Sequence, residues 1–489
     1  MHWSVTAFFL LIFTLFVSVG GYAETQKGSP IRLEPCSVAE IPDPVKCGRY
    51  LVYEDRVHRK GRQISLNVVV VPALIHPTAP DSIFWLEGGP GGASTMSAAV
   101  VSMKWLKGLH QDHDLVFIDE RGTGKSAPLS CGDIGNIPEN PDRFFAKPFP
   151  AEQMSDCRQQ LEKKADLRFY TTSLVVDDIN DVRKALGYNR IDLAALSYGT
   201  LTAQVYTHRY PSSVRASFLL GVVPPDYRLP LPFARASQHA LDALIQDCSL
   251  DEKCHAAFPS ITSEFADVLK RFDKGGLKVD VLDPASKERR AVMLSRDSYV
   301  EHIRELLYNT YTASFVPYVV HQAYEGNFVP FGEIATRFHG GGPGEFSGLH
   351  FSMICSESVP FIKPNDVALQ TRDTYVGMSR VDAYTKVCKD WPRAAVSKRF
   401  TKLLKLDTPI LIFNGNDDGV TPPEFAEHAA KFWPNSLLVR IPNSGHQLDT
   451  PCEWGLIEAF FRTGTAKDLN TSCVEQSRRP AFAFEVPHP

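Results

Sequence analysis

Ser197 stands in the pentapeptide Ala195-Leu196-Ser197-Tyr198-Gly199, between a strand-like run at 190–196 and a helical stretch from 198 to about 210. A sharp strand-to-helix turn of the G-x-S-x-G type lifts a serine hydroxyl out of a sheet, and it needs small residues two before and two after the serine. Ala195 takes the first small position and still fits. A serine hydroxyl is a poor nucleophile until a base takes its proton. On this kind of turn the partners follow in the order Ser, Asp or Glu, then His. The run at 409–413 leads into Asp417 and Asp418, and the run at 436–441 leads into Gly445 and His446. The expected roles are Ser197 as nucleophile, His446 as general base and acid, and Asp418 as the carboxylate that holds the imidazole tautomer. Asp417 competes with Asp418, which is preferred because the Gly419-Val420-Thr421-Pro422 turn follows it directly.

A tetrahedral intermediate needs donors aimed at its oxyanion. Tyr198, at a helix N-terminus, offers one backbone N–H. Glu87-Gly88-Gly89-Pro90-Gly91-Gly92 follows an early strand, and its glycines let backbone N–H groups approach a substrate carbonyl. Gly89 is the expected second donor, with Gly88 or Gly91 beside it. Gly122-Thr123-Gly124-Lys125-Ser126 imitates a phosphate loop. The pattern G-x-x-x-x-G-K-[ST] requires Gly at 119, where this chain has Asp. Asp119-Glu120-Arg121-Gly122 therefore reads as a structural turn near the site.

These residues need a scaffold that gathers loops at one edge. Short apolar runs at 65–71, 83–86, 115–118, 191–196, 410–413 and 437–441 nearly all end in Gly, Asp or Asn clusters. Buried parallel strands with functional loops at their carboxyl ends have this pattern. Val175, Ile179, Val182 and Leu186 share one helix face, with Thr172 or Ser173 as the cap. Alternating strand and helix predict an α/β sheet. Residues 224–401 differ, with helical stretches at 236–245 and 261–272, a hairpin-like stretch at 277–293 and a glycine patch at 340–344 that reads as a mobile loop. The expected organisation is a sheet domain in two parts, 24–223 and 402–489, the second carrying the Asp and His, around a largely helical cap insertion at 224–401.

Composition bounds the chemistry. The 489 residues are 44% hydrophobic, enough for a large core, and 52 basic residues against 56 acidic ones leave a net charge of −4. With no basic run, nucleic-acid binding has no electrostatic footprint. Residues 1–23 carry no charge and are mostly apolar, and they end in Gly21-Tyr22-Ala23. They read as a signal peptide cleaved near Ala23, leaving a periplasmic or secreted protein; an uncleaved N-terminal membrane anchor is the alternative. No integral membrane partner is evident. Ten cysteines, Cys36, Cys47, Cys131, Cys157, Cys248, Cys254, Cys355, Cys388, Cys452 and Cys473, suit disulfides in an oxidising compartment. Sequence does not fix their connectivity, and pairing of neighbours is the simplest scheme. Without a C-x-x-C or H-E-x-x-H motif, no metal site is expected.

The ordered set resembles the secreted tripeptidyl aminopeptidase-like branch of the α/β-hydrolases, the superfamily that also holds the proline iminopeptidases. It comprises Gly88-Gly89-Pro90-Gly91, Asp119 to Ser126, Leu196-Ser197-Tyr198-Gly199-Thr200, Tyr210-Pro211, Gly221-Val222-Val223-Pro224-Pro225, Cys248 and Cys254 with Phe258-Pro259, Ile354-Cys355-Ser356-Glu357, Cys388-Lys389-Asp390-Trp391-Pro392, Asp418 to Pro422, Gly445-His446, and the final Cys452 and Cys473. The resemblance implies the α/β-hydrolase fold, a helical cap over the triad, and release of one or a few residues from a peptide with a free amino terminus. No cofactor is needed for that chemistry. An exopeptidase must recognise an ammonium group, and Glu357 is the candidate acidic residue. Three positions depart from the family pattern: Ala195 in the elbow, Glu87 where proline iminopeptidases have His, and Ser358 where many relatives carry another acid. An esterase with the same machinery and a catalytically silent binding protein are the alternative functions. Sequence leaves the oligomeric state open.

Overall fold

The computed structural model describes residues 30–75, 81–131, 140–283, 286–338, 346–448 and 450–486. The proposed leader and the 340–344 glycine patch lie outside the described residues. Nine strands form one sheet: β1 Glu34–Cys36, β2 Val45–Tyr53, β3 Gln63–Val71, β4 Ser82–Leu86, β5 Leu115–Ile118, β6 Ile191–Leu196, β7 Val214–Leu220, β10 Ile410–Gly415 and β11 Ser436–Ile441. Their order across the sheet is β1-β2-β3-β5-β4-β6-β7-β10-β11. The pairs from β1 through β3 to β5 are antiparallel. From β5 through β4, β6, β7 and β10 to β11 every pair is parallel.

The apolar runs form strands because alternate side chains find an apolar layer on each face. Phe84, Leu86, Ile191, Leu193, Ala195, Ile410 and Ile412 pack into one layer. Ile83, Trp85, Ala194, Leu411 and Phe413 pack into the other. The helix Thr172–Ala185 covers the first layer with Val175, Val176, Ile179 and Val182. Its start differs from expectation. Thr171 is the N-cap and makes no side-chain cap, and the Thr172 N–H donates instead to Glu357 Oε1 at 2.9 Å. A buried carboxylate from a distant helix does the work that a local cap performs elsewhere.

Between β7 and β10 the chain is mainly helical, with the two-stranded antiparallel hairpin β8 Leu277–Leu282 and β9 Arg289–Leu294. Leu244, Val268, Tyr299, Ile303, Val319 and Phe331 form a separate core there. Phe144 and Phe145, which precede β6, and Phe482, near the carboxyl end, enter that same core. The helices Ser347–Glu357 and Ser379–Asp390 instead pack into the sheet's layer through Leu349, Phe351, Ile354, Tyr384 and Val387. Packing therefore crosses the chain positions expected as cap boundaries.

Five disulfides join Cys36–Cys47, Cys131–Cys157, Cys248–Cys254, Cys355–Cys388 and Cys452–Cys473. Among the described residues no helix is long and apolar enough to cross a membrane.

Candidate active site

Ser197 occupies the turn between β6 and the helix Tyr198–Arg209 with φ 54° and ψ −124°. A non-glycine residue at such angles costs about 1–3 kcal/mol and persists only where its surroundings impose it. Here the Ser197 N–H donates to the Leu220 carbonyl at 2.8 Å, and the Ser197 carbonyl accepts from Thr200 N–H and Oγ1. The neighbours are packed too closely for side chains. A Cβ on Gly199 would stand 2.3 Å from the Leu86 carbonyl oxygen, and one on Gly88 would stand 2.9 Å from Ser197 Cβ. Ala195 is fully buried in the sheet's layer, so its methyl is accommodated.

The carboxyl ends of β10 and β11 deliver the acid and the imidazole. Asp418 Oδ2 lies 2.7 Å from His446 Nδ1, with Asp418 1% and His446 8% exposed. Asp418 Oδ1 accepts the N–H groups of Val420 and Thr421, both at 2.8 Å, and Thr421 Oγ1 donates to Oδ2 at 2.8 Å. These three donors fix the carboxylate against the imidazole edge. That carboxylate selects the tautomer with a proton on Nδ1, which leaves Nε2 free to accept. Asp417 turns away and pairs with Arg479 at 2.7 Å. Burial pushes the Asp417 carboxyl up from its ordinary value.

Gly221, immediately after β7, sits between these parts. Its φ is +64°, and a Cβ there would stand 2.7 Å from His446 Cε1 and 2.8 Å from Thr421 Oγ1. Ser197 is hydrogen-bonded to the residue before Gly221, so the Ser197 turn and the His446 imidazole flank one short stretch at the sheet's carboxyl edge.

The glycine loop also borders Ser197, where a Cβ on Gly88 would stand 3.6 Å from Ser197 Oγ. The Gly88 N–H donates to Glu87 Oε1 at 3.1 Å, and the Gly92 N–H donates to the Gly88 carbonyl at 3.1 Å. Gly89 has φ +117°, and a Cβ there would stand 2.8 Å from Gly91 N. The Gly89–Pro90 peptide is cis. Glu87 also accepts from Trp85 Nε1 at 2.9 Å and from Ser97 Oγ, so its carboxylate ties the loop to the structure below it.

Asp119-Glu120-Arg121-Gly122 forms a buried turn. Asp119 accepts from Asn67 Nδ2, from Thr95 N–H and Oγ1, and from the Lys125 N–H. Arg121 pairs with Asp178 through Nε at 2.7 Å. Glu357 is buried rather than superficial. It accepts from Thr172 N–H at 2.9 Å, Thr172 Oγ1 at 2.7 Å and the Tyr198 hydroxyl at 2.8 Å. Burial pushes Glu357 up to about 7. Burial, with Asp178, Glu87 and Glu357 nearby, pushes Glu120 up to about 8. Glu120 Oε1 is buried without a hydrogen-bond partner.

Sequence reasoning gave no part to Thr421, Tyr308 or His350, and saw Glu120 only as a member of a structural turn. Only Thr421 left a local signal, three residues after Asp418 as in an Asx-type turn. Tyr308 accepts the His446 N–H on its carbonyl at 2.6 Å, and its ring stands edge-on to the imidazole at 5.7 Å.

A mostly parallel sheet with this serine turn, and with an acid and an imidazole on later post-strand loops, defines the class by its fold: the chain has the α/β-hydrolase fold. Residues 82–251 match the family described as alpha/beta hydrolase fold, and residues 373–473 match the family described as TAP-like protein. Serine protease Hip1 of Mycobacterium tuberculosis is 27% identical over 256 residues, covering 48% of this chain and 49% of that protein. Tripeptidyl aminopeptidase of Streptomyces coelicolor is 29% identical over 201 residues, covering 38% of this chain and 36% of that protein. A solved proline iminopeptidase of Mycobacterium smegmatis aligns at 15% identity with a TM-score of 0.39, over 85% of this chain and 98% of that one. The chain spans about half the length, or less, of the curated relatives it matches.

Proposed function

We propose that the protein is an exported aminopeptidase that releases one or a few residues from the free amino terminus of peptides. The observation that carries the reading is the buried Asp418–His446 hydrogen bond of 2.7 Å, set beside the Ser197 turn. Ser197 Oγ attacks the scissile carbonyl carbon while its proton passes to His446 Nε2. The carbonyl oxygen takes the negative charge and faces the N–H groups of Tyr198 and Gly89, with Gly88 committed to Glu87. The C–N bond breaks as His446 returns the proton to the leaving amine. Water, activated by the same imidazole, then cleaves the acyl ester and regenerates Ser197.

Recognition of an ammonium group finds support in the acidic surroundings of Glu120, whose carboxyl is raised by burial and by the nearby Asp178, Glu87 and Glu357. Glu357 already takes three protein donors, while Glu120 Oε1 has none. The peptidase names of the matched relatives favour a peptide substrate. Five disulfides favour an exported protein.

The test is a pair of peptides identical but for acetylation of the amino terminus, with fragments identified by mass spectrometry. The free peptide is expected to lose its first residue or residues with at least about 100-fold higher kcat/KM, in line with the cost of leaving buried polar groups unpaired. Equal or faster cleavage of the acetylated peptide overturns the aminopeptidase reading, and hydrolysis of simple esters with neither peptide cleaved replaces it with an esterase.

A further inference from the structure

A chain of buried hydrogen bonds runs through the helical region and ends on the glycine loop. Arg380, on the helix Ser379–Asp390, donates through Nη2 to the Tyr384 hydroxyl at 2.9 Å. The Tyr384 hydroxyl lies 3.0 Å from His350 Nε2, and His350 Nδ1 lies 2.9 Å from the Pro90 carbonyl. The polarity of this chain is fixed. A carbonyl oxygen can only accept, so Nδ1 carries the proton, Nε2 must accept, and the Tyr384 O–H donates to it. Arg380 then fills the remaining acceptor side of the Tyr384 oxygen. Burial holds His350 neutral, down to about 3, which agrees with a single ring proton.

Pro90 is the centre of the glycine loop, and the loop rests directly on the His350 helix. A Cβ on Gly91 would stand 3.2 Å from the Phe346 carbonyl and 3.5 Å from His350 Cβ. The Cys355–Cys388 disulfide joins the helix Ser347–Glu357, which carries His350, to the helix that carries Arg380 and Tyr384. The far end of the chain reaches the imidazole loop. Glu301 pairs with both Arg380 and Arg304, and Arg304 Nη1 donates to the Tyr308 hydroxyl at 3.0 Å. Tyr308 in turn holds the His446 backbone.

We propose that His350 is a positioning residue for the glycine loop: its Nδ1–H, oriented by Tyr384 and Arg380, fixes the Pro90 carbonyl and so the aim of the adjacent Gly89 N–H. The proposal rests on the reading above that Gly89 donates to the oxyanion. An error of about 1 Å in such a donor is enough to cost about 100-fold in rate. His350 touches no reacting atom and acts through the loop.

The test compares His350→Leu, which fills the space without a donor, with His350→Asn, whose side-chain amide can replace Nδ1–H. The readouts are kcat and KM for a cleaved peptide, and the rate of Ser197 phosphonylation by a fluorophosphonate. Expected for His350→Leu is a fall of about 10–100-fold in kcat and in labelling rate, with KM within about 3-fold, and recovery of most of that loss in His350→Asn. Tyr384→Phe keeps the ring packing and serves if His350→Leu does not fold. It is expected to lower kcat several-fold in the wild-type background and to have no further effect in the His350→Asn background. Wild-type kcat in His350→Leu, or additive effects of Tyr384→Phe and His350→Asn, overturns the proposal. Labelling needs no recognition of an amino terminus, so these outcomes are independent of the acetylated-peptide result. A wild-type protein that does not label at all refutes the Ser197 assignment instead.

Discussion

Asp418 faces the Nδ1 edge of His446 at 2.7 Å, whereas the residue before it, Asp417, faces Arg479. One step along the chain separates a carboxylate that orients the imidazole from one that fastens the carboxyl-terminal segment to the loop. Asp418→Asn is expected to lower kcat by about 10³–10⁴-fold, because an amide at this position selects the wrong imidazole tautomer. Asp417→Asn is expected to stay within a few-fold of wild type. Steady-state kinetics of the two variants on one substrate decides between them, and the reverse ranking would exchange their roles.

Ser197 stores backbone strain at φ 54°. Glycine adopts that conformation freely, while alanine does not. Ser197→Gly and Ser197→Ala should both be inactive, with Ser197→Gly more stable than Ser197→Ala by about 1 kcal/mol after the entropy that glycine adds to the unfolded chain. Denaturant melts of the two variants check this, and equal midpoints argue against strain at the turn.

Gly221 has room for hydrogen only, since a Cβ at this position would lie 2.7 Å from His446 Cε1. Gly221→Ala is expected to displace the imidazole and to lower kcat by about 100-fold or more. Its circular dichroism spectrum should remain that of the wild type. Full activity in this variant would mean that His446 does not work from its present place.

Glu357 and Glu120 give stability a defined pH dependence. Burial raises them from 4.5 to about 7 and about 8 in the fold. The fold therefore favours their protonated forms. Their contribution is complete below about pH 4.5 and is lost as pH rises through those values, by at most about 1.4 kcal/mol per pH unit for each group. The double variant Glu120→Gln, Glu357→Gln should lose less stability than wild type between pH 5 and pH 8. Parallel stability profiles would contradict these raised values.

Much of the site is legible in the sequence because its residues sit where strands stop. The apolar runs before Gly88, Ser197, Asp417 and Gly445 appear as β4, β6, β10 and β11, with bounds within a residue or two. β2 is not evident from sequence, since its Lys46, Arg49 and Tyr50 interrupt the apolar pattern on a strand that is half exposed. β7 is hidden because Arg215 and Ser217 break its run, although Arg215 finds partners in the fold, Asp192 and Asp81. The cap of the helix Thr172–Ala185 is expected from its own residues and is supplied by Glu357, 185 residues away. His350 is the clearest case of what spacing cannot reveal. Nothing in its own helix marks it, and its role depends on Pro90 and Tyr384, which only the fold brings to it.

The central claim is that Ser197 is the nucleophile activated by His446. Its most direct measurement is treatment of the intact protein with a fluorophosphonate, followed by peptide mapping of the adduct. One adduct is predicted, on Ser197, formed at least about 10³-fold more slowly in His446→Ala. An unlabelled protein, or an adduct on another serine such as Ser126 with Ser197 unmodified, would contradict it.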